Sequence, residues 1–160
     1  MKFNSKMDVF SAQIIANYLK EKSDFLNFIQ IKKQYQFILD RFRINPIPIT
    51  NETKNLFQCL DTQQIFKKDS DEIVITNKKI IQYNYEVTYS EMLEMKNENE
   101  SKNEQLEDDE KILLKFKKVI WTEKDLKEHG NRIPKDVTII GSYLFSFRDM
   151  FQDFLLLHHV

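Results

Sequence analysis

The 160-residue sequence predicts an α+β fold, in which an N-terminal short-helix bundle is followed by a β-rich, solenoid-like cap. As far as residue 42, apolar residues recur at helical spacing, which favours helices. Beyond residue 72, β-branched and aromatic residues alternate with polar ones, which favours strands. Near the end, residues 132–149 have the pattern of a structural repeat. An apolar content of 41% is sufficient for one core, or for a small core with an appendage.

Three groups of apolar residues predict a bundle of three short amphipathic helices within residues 1–44. The first group is expected to form one apolar stripe. A polar break follows it and leaves Ser23 or Asp24 as the N-cap of the second helix. The third group has the spacing i, i+3, i+4, i+7 of a single helical face. The groups are Val9, Phe10, Ile14, Ile15, Tyr18 and Leu19; Phe25, Phe28 and Ile29; and Tyr35, Ile38, Leu39 and Phe42.

Residues 45–131 are predicted to form the β-rich cap. Pro46 and Pro48 end the helical region, because each proline removes a backbone donor and favours extended geometry in the residue before it. The predicted strands are residues 73–75, 79–89 and 111–121.

An acidic insert, residues 91–110, interrupts the predicted strands. It contains nine acidic and two basic residues, a local charge of −7, while the whole chain carries −1. One interpretation is an acidic binding arm. The other is a solvated loop or frayed helix between two strands, which is the usual state of such charge runs.

A separate helix is predicted over residues 122–130. Thr122 has the residue type of an N-cap, acidic residues fill the first turn, and Gly130 suits the C-terminal cap. This helix leads directly into the repeat-like segment.

Residues 132–149 have the pattern I-P-x-x-V-T-x-I-G-x-x-x-F of a single leucine-rich-type repeat. Its apolar positions should point inward, while Pro134 and Gly141 set turns or bends. A single repeat cannot bury its own apolar face, because solenoid cores form between stacked neighbours. Residues 150–160 do not continue the pattern, and this tail is expected to cap the open end or to mediate self-association. The inward positions are Ile133, Val137, Ile140 and Phe145.

The composition argues against several kinds of chemistry. The charge of −1 gives no electrostatic drive toward nucleic acid, and two glycines argue against phosphate-binding loops. The single Cys59 is interpreted as a small buried thiol, His129 as a helix C-cap, and Trp121 as a core residue. His158 and His159 lie in the tail. We therefore predict a non-enzymatic protein with no catalytic, cofactor-binding or metal residues.

The chain has no apolar run long enough for a transmembrane helix and no evident secretory signal. We expect a cytoplasmic protein. The alternative is a cell-surface protein exported without a classical signal peptide.

The repeat and much of the N-terminal region resemble the BspA-like leucine-rich-repeat proteins of parasitic protists. In the N-terminal region, the resemblance is carried by Asn45-Pro46-Ile47-Pro48-Ile49 and Tyr85-Glu86-Val87-Thr88-Tyr89, among other segments. It implies protein binding, with surface adhesion as the family role. It also implies an N-terminal cap followed by one repeat, as in a truncated member of the family.

The helical region also resembles an F-box, through Tyr18-Leu19, Asp24-Phe25-Leu26 and Phe28-Ile29. This second resemblance implies a substrate adaptor of a ubiquitin ligase. A helical cap for the solenoid is the other interpretation of the same helices.

Overall fold

The computed structural model describes residues 7–75, 79–108 and 110–141. Two α-helices and two 3₁₀ helices come first. Two consecutive strands follow, and helices and strands alternate from there on. The elements are α1 (Val9–Ala16), α2 (Lys22–Gln30), the first 3₁₀ helix (Lys33–Phe37), the second 3₁₀ helix (Leu39–Arg41), β1 (Thr62–Ile65), β2 (Ile80–Thr88), α3 (Tyr89–Asn103), β3 (Leu113–Trp121), α4 (Glu123–His129) and β4 (Ile139–Ile140).

The four strands form one open parallel sheet in the order β1-β2-β3-β4. The predicted strands at 79–89 and 111–121 are confirmed as β2 and β3. The prediction of a solenoid-like cap is wrong. A solenoid stacks similar units, whereas these strands differ in length and their connections differ in kind. A loop joins β1 to β2, while α3 and α4 form the later connections.

The first core joins the N-terminal helices to the proline-containing segment. It extends in sequence from Ala12 to Leu60, so residues 45–60 pack with the helices. At its centre, Phe25, Phe42 and Phe57 make three edge-to-face contacts, with ring centroids 5.3 to 6.0 Å apart. Edge-to-face contacts place the positive edge of one ring against the negative face of the next. These contacts fix α2 against the chain that follows the second 3₁₀ helix.

The third predicted helix forms as two short 3₁₀ helices. Its apolar face is confirmed, because Tyr35, Ile38, Leu39 and Phe42 are all buried. The second helix begins at Lys22 with Glu21 at the N-cap position, so the prediction of Ser23 or Asp24 as N-cap is wrong.

β1 has the sequence Thr-Gln-Gln-Ile, which the propensity argument did not predict as a strand. Its Gln63 side chain is fully buried and bonds to the loop that follows, donating to the carbonyl of Ile73 at 2.6 Å and accepting from the N–H of Ile75 at 2.8 Å. The predicted strand at 73–75 is wrong, because these side-chain bonds replace those of a strand neighbour.

The second core lies between α3 and the sheet. It contains Val87, Met92 and Val119, and Val137 packs against it. A capping box between Thr88 and Glu91 starts α3. Much of the acidic insert is therefore an ordered helix that joins two parallel strands, rather than a loop or a frayed helix.

The helix predicted over residues 122–130 is confirmed as α4. Thr122 and Asp125 form a capping box at its start. Gly130 ends it with a φ of 80° and a ψ of −168°.

Within its described residues, 132–141, the predicted repeat contributes only the two-residue β4 to the sheet. Ile133 and Ile140 do not point inward, because they are 44% and 42% exposed. Gly141 donates from its N–H to the carbonyl of Trp121 at 2.9 Å, and a Cβ at this position would lie 3.1 Å from the same oxygen. Gly141 thus permits a close approach of two backbones. Phe145 and the tail at 150–160 lie outside the described residues.

Candidate functional site

Of the residues considered for chemistry, Cys59, His129 and Trp121 lie within the part of the chain that the structure describes. Cys59 is half-buried. The exposed His129 ring lies 5.3 Å from the ring of Tyr89 and 6.1 Å from that of Trp121. Trp121 is in the core, as predicted, at 1% exposure. Among the described residues, no three His, Cys, Asp or Glu side chains are close enough to hold a metal ion.

The outer face of α1 is apolar. Phe10 is 70% exposed, and Ile14 and Ile15 are also exposed, whereas Ala12 and Ala16 are fully buried. A globular helix normally buries its bulky apolar face. In α1 the alanines point inward and the bulky side chains point outward.

The predicted single apolar stripe is therefore wrong for its largest members. The exposed members are Phe10, Ile14, Ile15 and Tyr18. Val9 and Leu19 are half-buried against the first core. The sequence of α1, Val-Phe-Ser-Ala-Gln-Ile-Ile-Ala, is apolar around most of the helix. A helix that is apolar around most of its surface cannot bury all of it against one core. The sequence therefore indicated that part of the apolar surface of α1 would be exposed.

The start of α1 is held by a local cap and by one hydrogen bond from the first 3₁₀ helix. Asp8 caps its N-terminus by accepting from the N–H of Ser11 at 2.7 Å. The hydroxyl of Tyr35 donates to the carbonyl of Met7 at 3.1 Å, and the ring of Tyr35 stacks on Phe28 at 5.3 Å. These contacts place the start of α1 beside the first 3₁₀ helix.

A groove of about 760 Å³ lies between α1 and the 3₁₀ helices. In a 3₁₀ helix, side chains three positions apart lie on the same side. Tyr35 and Ile38 therefore both point into the core, while Gln34 and Phe37 both line the groove. Phe37 is 65% exposed and lines this groove together with Val9.

Cations form the polar part of the groove. Lys32, Lys33 and Arg41 line it, and no carboxylate is among its lining residues. The ammonium of Lys32 lies 5.6 Å from the ring centroid of Tyr35, a favourable cation–π distance. Within the described part of the chain, no ion pair involves these three cations.

We call this surface the docking face. It consists of the groove residues Val9, Lys32, Lys33, Gln34, Phe37 and Arg41, together with Phe10 and Ile14, which are exposed on α1 but do not line the groove. The groove combines exposed apolar side chains with cations.

A second, smaller cavity of about 370 Å³ lies between α3 and β3. Lys96, Lys115 and Lys117 line it together with Gln82. The ammonium of Lys96 lies 2.7 Å from a carboxylate oxygen of Asp136. This ion pair closes one side of the cavity.

Comparison with protein-family models, with curated proteins and with solved structures gave no significant match. No helix within residues 7–75, 79–108 and 110–141 has the length and apolar character needed to cross a bilayer.

Proposed function

We infer that the protein is a non-catalytic interaction protein that binds another protein through the docking face. The single observation that carries this proposal is the outward position of Phe10, Ile14 and Phe37, which are 70%, 46% and 65% exposed. Large apolar patches on a soluble protein typically mark interaction sites, and aromatic residues are enriched at the centres of such sites. The resemblance to BspA-like proteins points to the same role, because it implies protein binding.

A photo-crosslinking amino acid at position 37 of the full chain tests the proposal in the cells that produce the protein. The matched control carries the same amino acid at Asn97, an exposed position on α3. We expect a specific adduct to a second protein from position 37 and none from position 97. Equal adducts from both positions, or none from position 37, would contradict the proposal.

An F-box-like adaptor of a ubiquitin ligase is the second candidate. Two observations favour it: several short helices form the N-terminal region, and one of them, α1, leaves apolar residues exposed. A pull-down with the linker protein of the ligase tests it. Retention that is lost in Phe10→Ser and Phe37→Ser would support the adaptor, and absence of retention would remove it.

A further inference from the structure

We propose that the partner segment bound by the docking face is an acidic amphipathic helix. This inference rests on the proposed function and adds the chemistry of the partner. It follows from the spacing of the exposed apolar residues, from the hydrogen bonding of the groove walls and from the charge of the rim.

The apolar positions suit a helical partner. Phe10 and Ile14 are one turn apart on α1, so their side chains lie about 6 Å apart along the helix axis. Phe37 and Val9 both line the groove. Apolar residues spaced i, i+3 or i+4 on a partner helix match this spacing, as in other helix-in-groove complexes.

The walls do not offer a strand edge. Both are helical: one is α1, and the other belongs to the two 3₁₀ helices. Strand addition needs unpaired backbone groups at a sheet edge. An extended peptide therefore has no ladder to join at this face.

The charge of the rim selects an acidic partner. Lys32, Lys33 and Arg41 all line one groove. A symmetric dimer would place the same three cations of two copies near one another, which costs free energy. Glu or Asp residues beside the apolar face of a partner helix instead complement the rim.

The shape of the groove does not separate a helix from a membrane surface. The groove is wide and open to solvent, and Val9 is the residue that lines it from α1. Anionic vesicles therefore form a separate arm of the test.

Selection from a phage library of helical peptides against the full chain tests the proposal. The charge-reversed double variant Lys33→Glu/Arg41→Glu is compared with Lys115→Glu/Lys117→Glu, which changes the charge equally on the exposed part of β3. We expect selected peptides with Glu or Asp flanking an apolar i, i+4 face. Reversal at 33 and 41 should weaken their binding by about tenfold or more, whereas reversal at 115 and 117 should change it by less than about twofold. Circular dichroism melts confirm that each variant folds.

Several outcomes would overturn the proposal. In the selection, they are enrichment of neutral or basic peptides, enrichment of no peptide, and peptide binding that is unchanged by Phe37→Ser and by the reversal at 33 and 41. In size-exclusion chromatography, the contrary outcome is a dimer of the wild-type chain that Phe37→Ser disrupts. Phosphatidylserine vesicles that bind the chain through the same residues, without peptide competition, would assign the face to membranes.

Failure of this inference is distinguishable from failure of the proposed function. If position 37 cross-links to a protein segment that is neutral or basic, protein binding stands and the acidic helix is wrong. If position 37 captures no protein, both are wrong.

Discussion

Asp125 accepts two hydrogen bonds from Ser90, one from its backbone N–H at 2.9 Å and one from its hydroxyl at 2.5 Å. Its second carboxylate oxygen accepts from the N–H and the hydroxyl of Thr122, at 2.8 and 2.6 Å. Asp125 is fully buried. One carboxylate thereby joins the first turn of α3 to the start of α4.

Replacement of Asp125 with Ala should destabilise the fold by about 2–4 kcal/mol, because buried donors on two helices lose their acceptor. Urea unfolding measures the change. Glu123→Ala is the matched control, since it removes only an exposed ion pair with Lys127 and should cost less than about 0.5 kcal/mol. Equal effects of the two substitutions would show that the four hydrogen bonds do not stabilise the helix pair.

The contribution of Asp125 should also depend on pH. Burial raises the pKa of its carboxyl, but the hydrogen bonds from Ser90 and Thr122 outweigh this, so the pKa lies below its ordinary value. Since the unfolded chain then binds the proton more readily, the stabilisation is complete above about pH 4 and is lost as pH falls through the folded pKa.

Urea unfolding of wild type and Asp125→Ala at neutral pH and near pH 2.5 checks this dependence. The difference between the two proteins should shrink on acidification. The pKa of Glu91 is also lowered, chiefly by its hydrogen bond with Lys68, but Glu91 is present in both proteins and its effect cancels. A difference independent of pH would contradict the assignment.

Because α1 exposes its bulky apolar residues and buries its alanines, substitutions on its two faces should affect the stability of the fold differently. Phe10→Ser and Ile14→Ser should change the free energy of unfolding by less than about 0.5 kcal/mol, because both side chains are exposed. Ala12→Leu should cost about 1–3 kcal/mol, because it adds volume at a fully buried position. Thermal melts measure the stability of the three variants. A loss of stability in Phe10→Ser, with none in Ala12→Leu, would indicate that Phe10 is buried and Ala12 is exposed, as the sequence had predicted.

The backbone at Gly130 predicts a requirement for glycine that asparagine does not meet. Its φ of 80° and ψ of −168° lie in a region that only glycine adopts readily. Nothing lies within 4 Å of a Cβ placed there, so any cost comes from backbone strain. Gly130→Ala and Gly130→Asn should each lower stability by about 1–3 kcal/mol. Asn131→Ala, at the next exposed position, is the control. Wild-type stability in Gly130→Asn would indicate an ordinary left-handed cap instead.

The sequence predicts those features that depend on residues close together along the chain. The α4 caps at Thr122 and Gly130 and the strand β2 follow from local patterns, and the structure confirms these elements. The orientation of α1 is not local, because most of its surface is apolar and only packing decides which part is buried. The docking face combines positions in α1 with residues 32–41, so its groove depends on the tertiary contact between Tyr35 and Met7.

β1 is a strand that local sequence patterns do not predict. Gln63 and Gln64 have little preference for strands, and their environment stabilises them there. The amide of Gln63 bonds to two backbone groups of the loop, and Asn45 bonds to the backbone N–H and carbonyl of Gln64. Side-chain amides thus fix a strand that an apolar pattern does not reveal.

Gln63→Leu therefore tests how this strand is held. The substitution keeps a similar side-chain size but removes the acceptor for the N–H of Ile75 and the donor to the carbonyl of Ile73, which face it at 2.8 and 2.6 Å. Each partly buried backbone group left without a partner costs about 1–3 kcal/mol, so we expect a total loss of about 2–4 kcal/mol in urea unfolding. Hydrogen exchange at the amide of Ile75 should accelerate, whereas the exposed substitution Gln58→Leu should leave both measurements unchanged. Unaltered exchange at Ile75 in Gln63→Leu would mean that the loop is held by its backbone contact from Ile73 to Ile49 and by apolar packing, and not by the glutamine amide.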